Sequence, residues 1–168
     1  MTVLSTEAVN CYTDGSRMDG RLGAAYHIQT HGCPDATRTL HLGSYSTVPQ
    51  AEVFALISAA KALLAQPREK EINIYVDSLG TLQSLQPGLK TGLAAECVEA
   101  LNRLSEDRKV SVHWIPAHSG YDGNELVNLA AKRGTELLPE GPEPYLPVSS
   151  KLVHGAIQEW GRRINMRR

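Results

Sequence analysis

Three carboxylates and one amide, Asp14, Glu52, Asp77 and Asn128, are the residues of this sequence best placed to do chemistry. Asp14 closes a short β-type run, Glu52 falls in the first turn of an apolar helix, Asp77 closes another strand and Asn128 lies in the last core helix. Neighbouring strands ending at Asp14 and Asp77 bring both side chains to one sheet edge, and a helix crossing the sheet can carry Glu52 to the same place. Clustered carboxylates repel, which costs stability unless they share a hard divalent cation. Mg2+ or Mn2+, held partly by carboxylates and partly by phosphate and water, suits such a set. Each residue taken singly also has a structural role: Asp14-Gly15 as a turn, Glu52 as a favourable charge at a helix start, Asp77-Ser78 as an N-cap, and Asn128 as a solvated helix residue.

The elements that must position these groups follow from periodicity. Alternation and turn residues predict three short strands, AVNCYTD, LGAAYHI and RTLHLGSY, separated by the turns GSRMDGR and THGCPDAT and forming consecutive hairpins. From Pro49 the pattern becomes helical, with Val53, Phe54, Leu56, Ile57, Ala60, Leu63 and Leu64 at three- and four-residue spacings. Thr47 with Gln50 forms a capping box, Pro49 suits the first turn, and Pro67 ends the helix. Ile72, Ile74 and Val76 then alternate as a strand, followed by the helical piece SLGTLQSLQ and the breaker Pro87-Gly88. A helix from Thr91 to Ser105, the strand KVSVHWIP and a last core helix to about Leu138, opened by an Asp122/Glu125 capping box, complete the order βββαβα(α)βα.

Composition sets the outer limits. The chain has 168 residues and 42% apolar content, enough for one domain with a substantial core. Its net charge of -1 excludes a chain that is basic all over. The last seven residues hold four arginines and no acid, leaving 13 bases against 18 acids in the body, an imbalance that metal-binding carboxylates explain. Cys11, Cys33 and Cys97 lack metal-ligand spacing and read as buried free thiols rather than a disulfide framework. No apolar run approaches the roughly 18 residues of a membrane span, and MTVLSTEAVN lacks the basic and apolar regions of a signal peptide, so no membrane partner and an intracellular location are expected.

The strings YTDGS, QAE before an apolar helix, YVDS and WIPAHSGYDGNELVNLAAKRG resemble ribonuclease H. Together with the intervening element order they cover the span from Ala8 to Leu138, and their wording is most similar to the ribonuclease H domains attached to reverse transcriptases of non-LTR retrotransposons. The resemblance implies an α/β fold: a mixed five-stranded sheet, its first three strands antiparallel, with helices on both faces. It also implies an active site of Asp14, Glu52, Asp77 and Asn128 around two Mg2+ ions, with Mn2+ as substitute. The family has Asp at the fourth position. An amide offers one oxygen but no charge, so the ion it helps to hold, on the side of the attacking water, should bind more weakly. Asn128 is either a natural variant with altered activity or a replacement made to trap uncut substrate. His118 matches the family's mobile histidine, which moves a proton to or from the leaving 3′ oxygen, and Gly120 and Gly123 would let its loop move.

The implied activity is cleavage of the RNA strand of an RNA/DNA hybrid to 5′-phosphate and 3′-hydroxyl ends. Recognition at many sequences must use backbone shape and the 2′-hydroxyl, and Ser16, Gln50, Ser78 and Asn124, beside the acids, are the candidate substrate contacts. The region Gln86 to Val110 is too short for the basic insert some relatives carry, so affinity should be modest, with a covalently linked reverse transcriptase supplying further grip. A catalytically inactive hybrid-binding or structural domain is the alternative, with Asn128 as its lesion. Residues 1–138 form the expected domain; 139–168 form a linker, with four prolines between Pro139 and Pro147, and a basic helix, SSKLVHGAIQEWGRR, that either packs back or leads to a neighbouring domain.

Overall fold

A computed structural model describes residues 8–66, 71–86, 88, 92–138, 146, 148 and 150–166. Five strands, β1 (Val9–Met18), β2 (Arg21–Gln29), β3 (Ala36–His41), β4 (Glu71–Val76) and β5 (Lys109–Trp114), alternate with helices α1 (Val48–Leu64), α2 (Leu79–Ser84), α3 (Gly92–Ser105), α4 (Asp122–Glu136) and α5 (Ser150–Asn165). The sheet order is β3-β2-β1-β4-β5. β1, β2 and β3 pair antiparallel, whereas β4 and β5 join β1 in parallel, each reached through a helical crossover. The mixed five-stranded sheet with its first three strands antiparallel is therefore as expected.

Strand alternation divides the core between two faces. Val9, Cys11, Ile72, Ile74 and Val76 pack with Val53, Leu56, Ile57, Leu63, Cys97 and Leu104 of α1 and α3. On the other face Tyr12, Ala25 and Tyr75 pack under Val127, Ala130 and Ala131 of α4. Each fully buried Leu or Ile contributes about 1.5–3 kcal/mol, and nine residues of α1 are buried, more than one stripe, because α1 is covered by both the sheet and α3.

The first hairpin turns later than its composition suggests. Gly15, Ser16, Arg17 and Met18 continue β1, and the reversal falls on Asp19 and Gly20, both at positive φ (49° and 80°). Two such residues between Met18 and Arg21 make the two-residue turn that matches strand twist, so this turn sets the register. Asp14-Gly15 is accordingly strand, not turn. At α1, Gln50 Oε1 accepts from the Thr47 N–H at 2.9 Å, as the capping box requires. At α4 the expected Asp122/Glu125 box does not form: Tyr121 is the N-cap, with no side-chain cap hydrogen bond, and Asp122 and Glu125 both lie inside the first turn as favourable charges at the helix start. β3 also starts and stops earlier than the run from Arg38 to Tyr45 suggests. Cys11 and Cys97 are buried, but Cys33 is exposed in the β2–β3 loop.

Pro67, Pro87, Thr91 and all of the 139–147 linker except Leu146 lie outside the described residues. Leu146 is buried with Leu22, Leu42, Ala51 and Ala55. No described residue of α5 is buried, and no described helix is long and apolar enough to cross a membrane.

Candidate active site

Parallel pairing places Thr13 of β1 opposite Val76 of β4, so Asp14 and Asp77 follow at the same level of the sheet. α1 starts against this edge because residue 15 is glycine. A Cβ there would stand 2.6 Å from the Glu52 backbone N and 2.9 Å from the Ala51 carbonyl carbon. The missing side chain lets the first turn of α1 lie on β1, and Glu52 reaches Asp14. α4 approaches the opposite face equally closely: a Cβ on Gly134 would stand 2.6 Å from the Leu40 carbonyl oxygen. That contact holds α4 on β2 and β3 with its first turns at the sheet edge.

The result is a cluster in which Asp14, Glu52 and Asp77 each offer a carboxylate oxygen, all within 4.8 Å of one another. Asp14 and Glu52 are both 6% exposed; Asp77 is half-buried. Loss of hydration, then the charge of Asp77, pushes the Asp14 carboxyl up to about 6. Burial, then the charges of Asp14 and Asp77, pushes Glu52 up to about 9. The Gly15 backbone opposes both shifts by hydrogen bonding, and hydrogen bonding between the two carboxyls lowers Asp14 and raises Glu52 further. Glu52 Oε2 is buried with no hydrogen-bond partner. A buried carboxylate oxygen with no donor, facing two further acids, fits a divalent cation, which would replace the missing donors and cancel the repulsion.

Asp77 is held from two sides. The Asn124 amide donates to Asp77 Oδ2 at 3.2 Å, and the Trp114 indole N–H donates to the Asp77 carbonyl oxygen at 3.1 Å. Asn124 is 2% exposed and its Oδ1 has no partner, so it braces an acid from within the site. Asn128 lies one turn further along α4 on the same face and is half-buried. His118, at φ 53° in the exposed β5–α4 loop, has Nδ1 3.3 Å from Glu125 Oε1. Of the other polar residues at this edge, Ser16 is half-buried in β1, Gln50 is engaged at the start of α1, and Ser78 caps α2 by accepting from the Thr81 N–H at 3.3 Å.

Sequence patterns missed three supporting features: the close approach at Gly15, the Trp114 bond and the Glu125 partner of His118. The words containing them were visible, but their contacts join separate segments. Gly15→Ala is expected to force α1 off β1, costing about 1–3 kcal/mol of overpacking and displacing Glu52. Denaturant unfolding measures the first effect and divalent-cation binding the second.

Residues 6–136 match the family model described as RNase H. The ribonuclease H of Legionella pneumophila strain Lens is 29% identical over 145 residues, covering 77% of this chain and 98% of that protein. The Pol polyprotein of equine infectious anemia virus isolate 1369 is 28% identical over 134 residues, 79% of this chain, but the chain spans only 11% of the polyprotein. The fold is similar to RNase H1 from Halobacterium salinarum NRC-1, with TM-score 0.62, 21% identity and coverage of 77% of this chain and 98% of that one. It is also similar to LC11-RNase H1, solved in complex with an RNA/DNA hybrid, with TM-score 0.57, 21% identity and coverage of 74% and 97%.

Proposed function

The chain belongs to the ribonuclease H family, and from that premise we propose that it is a metal-dependent endonuclease that cuts the RNA strand of RNA/DNA hybrids. The observation carrying this reading is the convergence of Asp14, Glu52 and Asp77 within 4.8 Å at one sheet edge. Asp14, Glu52, Asp77 and Asn128 would hold two Mg2+ ions, with Mn2+ able to substitute. Such a pair, when bound, stabilises the entering and leaving oxygens of an in-line displacement at phosphorus, giving 5′-phosphate and 3′-hydroxyl ends.

The chain's own residues supply the rest. Asn124 and Trp114 fix the rotamer and backbone of Asp77, and Glu52, in the first turns of α1, is buried. His118 sits on an exposed loop with Gly120 at positive φ and is the residue to carry a proton to or from the leaving 3′ oxygen, whereas Gly123, expected to loosen that loop, is buried in α4 against the Tyr12 ring. Glu125, 3.3 Å from the His118 Nδ1, orients the ring. Ser16, Gln50 and Ser78 border the acids and are available to sugar and phosphate; Asn124, also expected to contact substrate, is 2% exposed and contributes through Asp77.

Asn128 in place of a fourth acid supports a reading of reduced turnover, and in the extreme of a hybrid-binding domain without catalysis. The similarity to viral Pol polyproteins supports a retroelement origin with a covalently linked reverse transcriptase and an intracellular site of action. The deciding experiment incubates the chain with a labelled RNA/DNA hybrid and with a DNA duplex, in Mg2+ and in Mn2+. Slow cleavage confined to the RNA strand is expected. A hybrid left uncut in both metals, by this chain and by Asn128→Asp alike, rejects the enzyme reading.

A further inference from the structure

Two surfaces among the described residues are uncovered, and each has what the other lacks. On α5, Val153, Ile157, Trp160 and Ile164 follow one another at four-, three- and four-residue intervals and are 45%, 59%, 66% and 41% exposed. Such spacing makes one narrow stripe along the helix, the pattern of a helix that packs on another helix. Large apolar side chains left in water at this density mark a contact surface. The rest of the segment is basic: Lys151, Arg162, Arg163, Arg167 and Arg168 stand against the single acid Glu159.

The second surface is a groove of about 640 Å3 between α2 and the outer side of α3. Leu85, Ala95 and Val98 form its apolar lining and Glu99 and Glu106 its acidic rim, beside Arg103. Among the described residues neither Glu99 nor Glu106 has an ion-pair partner. Ala95, Val98, Asn102 and Glu106 follow a helical row of three- and four-residue steps, the same repeat as the stripe on α5. The helices also match in length, 14 residues for α3 and 16 for α5, or about 21 and 24 Å at the helical rise. No described residue of α5 lines the groove, so the chain does not fill it with its own helix.

We propose that α5 of one copy docks in the α2/α3 groove of a second copy, reciprocally, to form a two-fold dimer. Its apolar stripe meets Leu85, Ala95 and Val98, and its arginines meet Glu99 and Glu106. Reciprocity doubles the area that one helix-in-groove contact buries, toward the roughly 1,600 Å2 of a standard stable interface. Pairing α5 with α5 is disfavoured by charge. A parallel pair brings the arginine ends together, and an antiparallel pair offers only Glu159, already bonded to Arg163 at 2.6 Å. A nucleic-acid backbone would satisfy the arginines but leave Val153, Ile157 and Ile164 in water.

Sedimentation velocity across a concentration series of the 168-residue chain tests this, using two exposed charge reversals. One is Arg162→Glu with Arg163→Glu on the helix; the other is Glu99→Lys with Glu106→Lys on the groove. The unaltered chain is expected to show a concentration-dependent dimer. Each reversed protein alone, with its helix content checked by circular dichroism, should need at least about ten-fold higher concentration to dimerise. An equimolar mixture should recover the original dimer, because every helix then faces a groove of opposite charge. Three results overturn the proposal: a monomer at all concentrations, a dimer unaffected by the groove reversal, or a monomer whose helix reversal instead weakens binding to a labelled hybrid.

Discussion

Asp14→Asn is expected to lower hybrid cleavage by on the order of 10³-fold while making the metal-free protein more stable. Both effects have one origin. Asp14 is buried beside Glu52 and Asp77, and its own field, after burial, is the largest contribution raising the Glu52 carboxyl. The amide is nearly isosteric and can still accept from the Gly15 N–H, but it carries no charge to attract a cation or repel a neighbour. A gain of about 1–2 kcal/mol near pH 8 is expected in EDTA, read as a higher denaturation midpoint.

The pH dependence follows with a definite sign. In the unfolded chain Asp14 and Glu52 lose their protons near 3.8 and 4.5, whereas in the fold they keep them to about 6 and about 9. Between about pH 4 and about pH 9 the native state therefore binds more protons than the unfolded state, and stability falls as pH rises. Their stabilising contribution is complete below the unfolded values and lost as pH passes the folded ones. Mg2+ should reverse the trend, since it binds the ionised cluster and stabilises by mass action, and Asp14→Asn should flatten both the slope and the Mg2+ response. A variant that melts lower than the parent in EDTA would mean that Asp14 holds the fold together instead of serving the site.

Asn128→Asp should do the opposite. Restoring a carboxylate one turn beyond Asn124 gives the site a fourth charge, and turnover is expected to rise by about 10–100-fold, the usual effect of a single group supporting a metal site. KM for hybrid should move little, because backbone contacts away from the acids are unchanged. The Mg2+ concentration for half-maximal rate should fall. Without metal, the added charge increases repulsion, so this variant should melt lower than the parent in EDTA and gain more from Mg2+. Single-turnover cleavage and melting curves in EDTA and Mg2+ separate the two variants. If Asn128→Asp changes neither rate nor Mg2+ dependence, residue 128 does not face the cluster.

Much of the fold was legible because it rests on local periodicity. Alternation at Ile72, Ile74 and Val76 and helical spacing from Val53 to Leu64 report which side of each element is dry, and the structure buries those positions except Phe54 and Leu64, which are half-buried. The element order was legible for the same reason. Boundaries were less so: GSRM is polar and glycine-bearing, yet it is strand, because a two-residue turn at Asp19-Gly20 extends the pairing to Met18. The N-cap of α4 fell one residue earlier than Asp122 because its position depends on the loop arriving from β5.

The sequence by itself determined the chemistry available: which acids exist, that the fourth is an amide, and that the basic charge is gathered at one end of an acidic chain. Only the tertiary structure decided how those groups meet. The parallel register of β1 and β4 levels Asp14 with Asp77, and the absent side chain at Gly15 admits Glu52. Contacts between residues 37 to 47 positions apart, such as Trp114 and Asn124 with Asp77, depend on how separate elements stack. The unusual protonation of Asp14 and Glu52 has the same source, because desolvation and repulsion arise only when packing brings charges together and excludes water. The placement of charge likewise took its meaning from the fold, which leaves a basic, apolar-striped α5 and an acidic-rimmed groove uncovered on the same molecule.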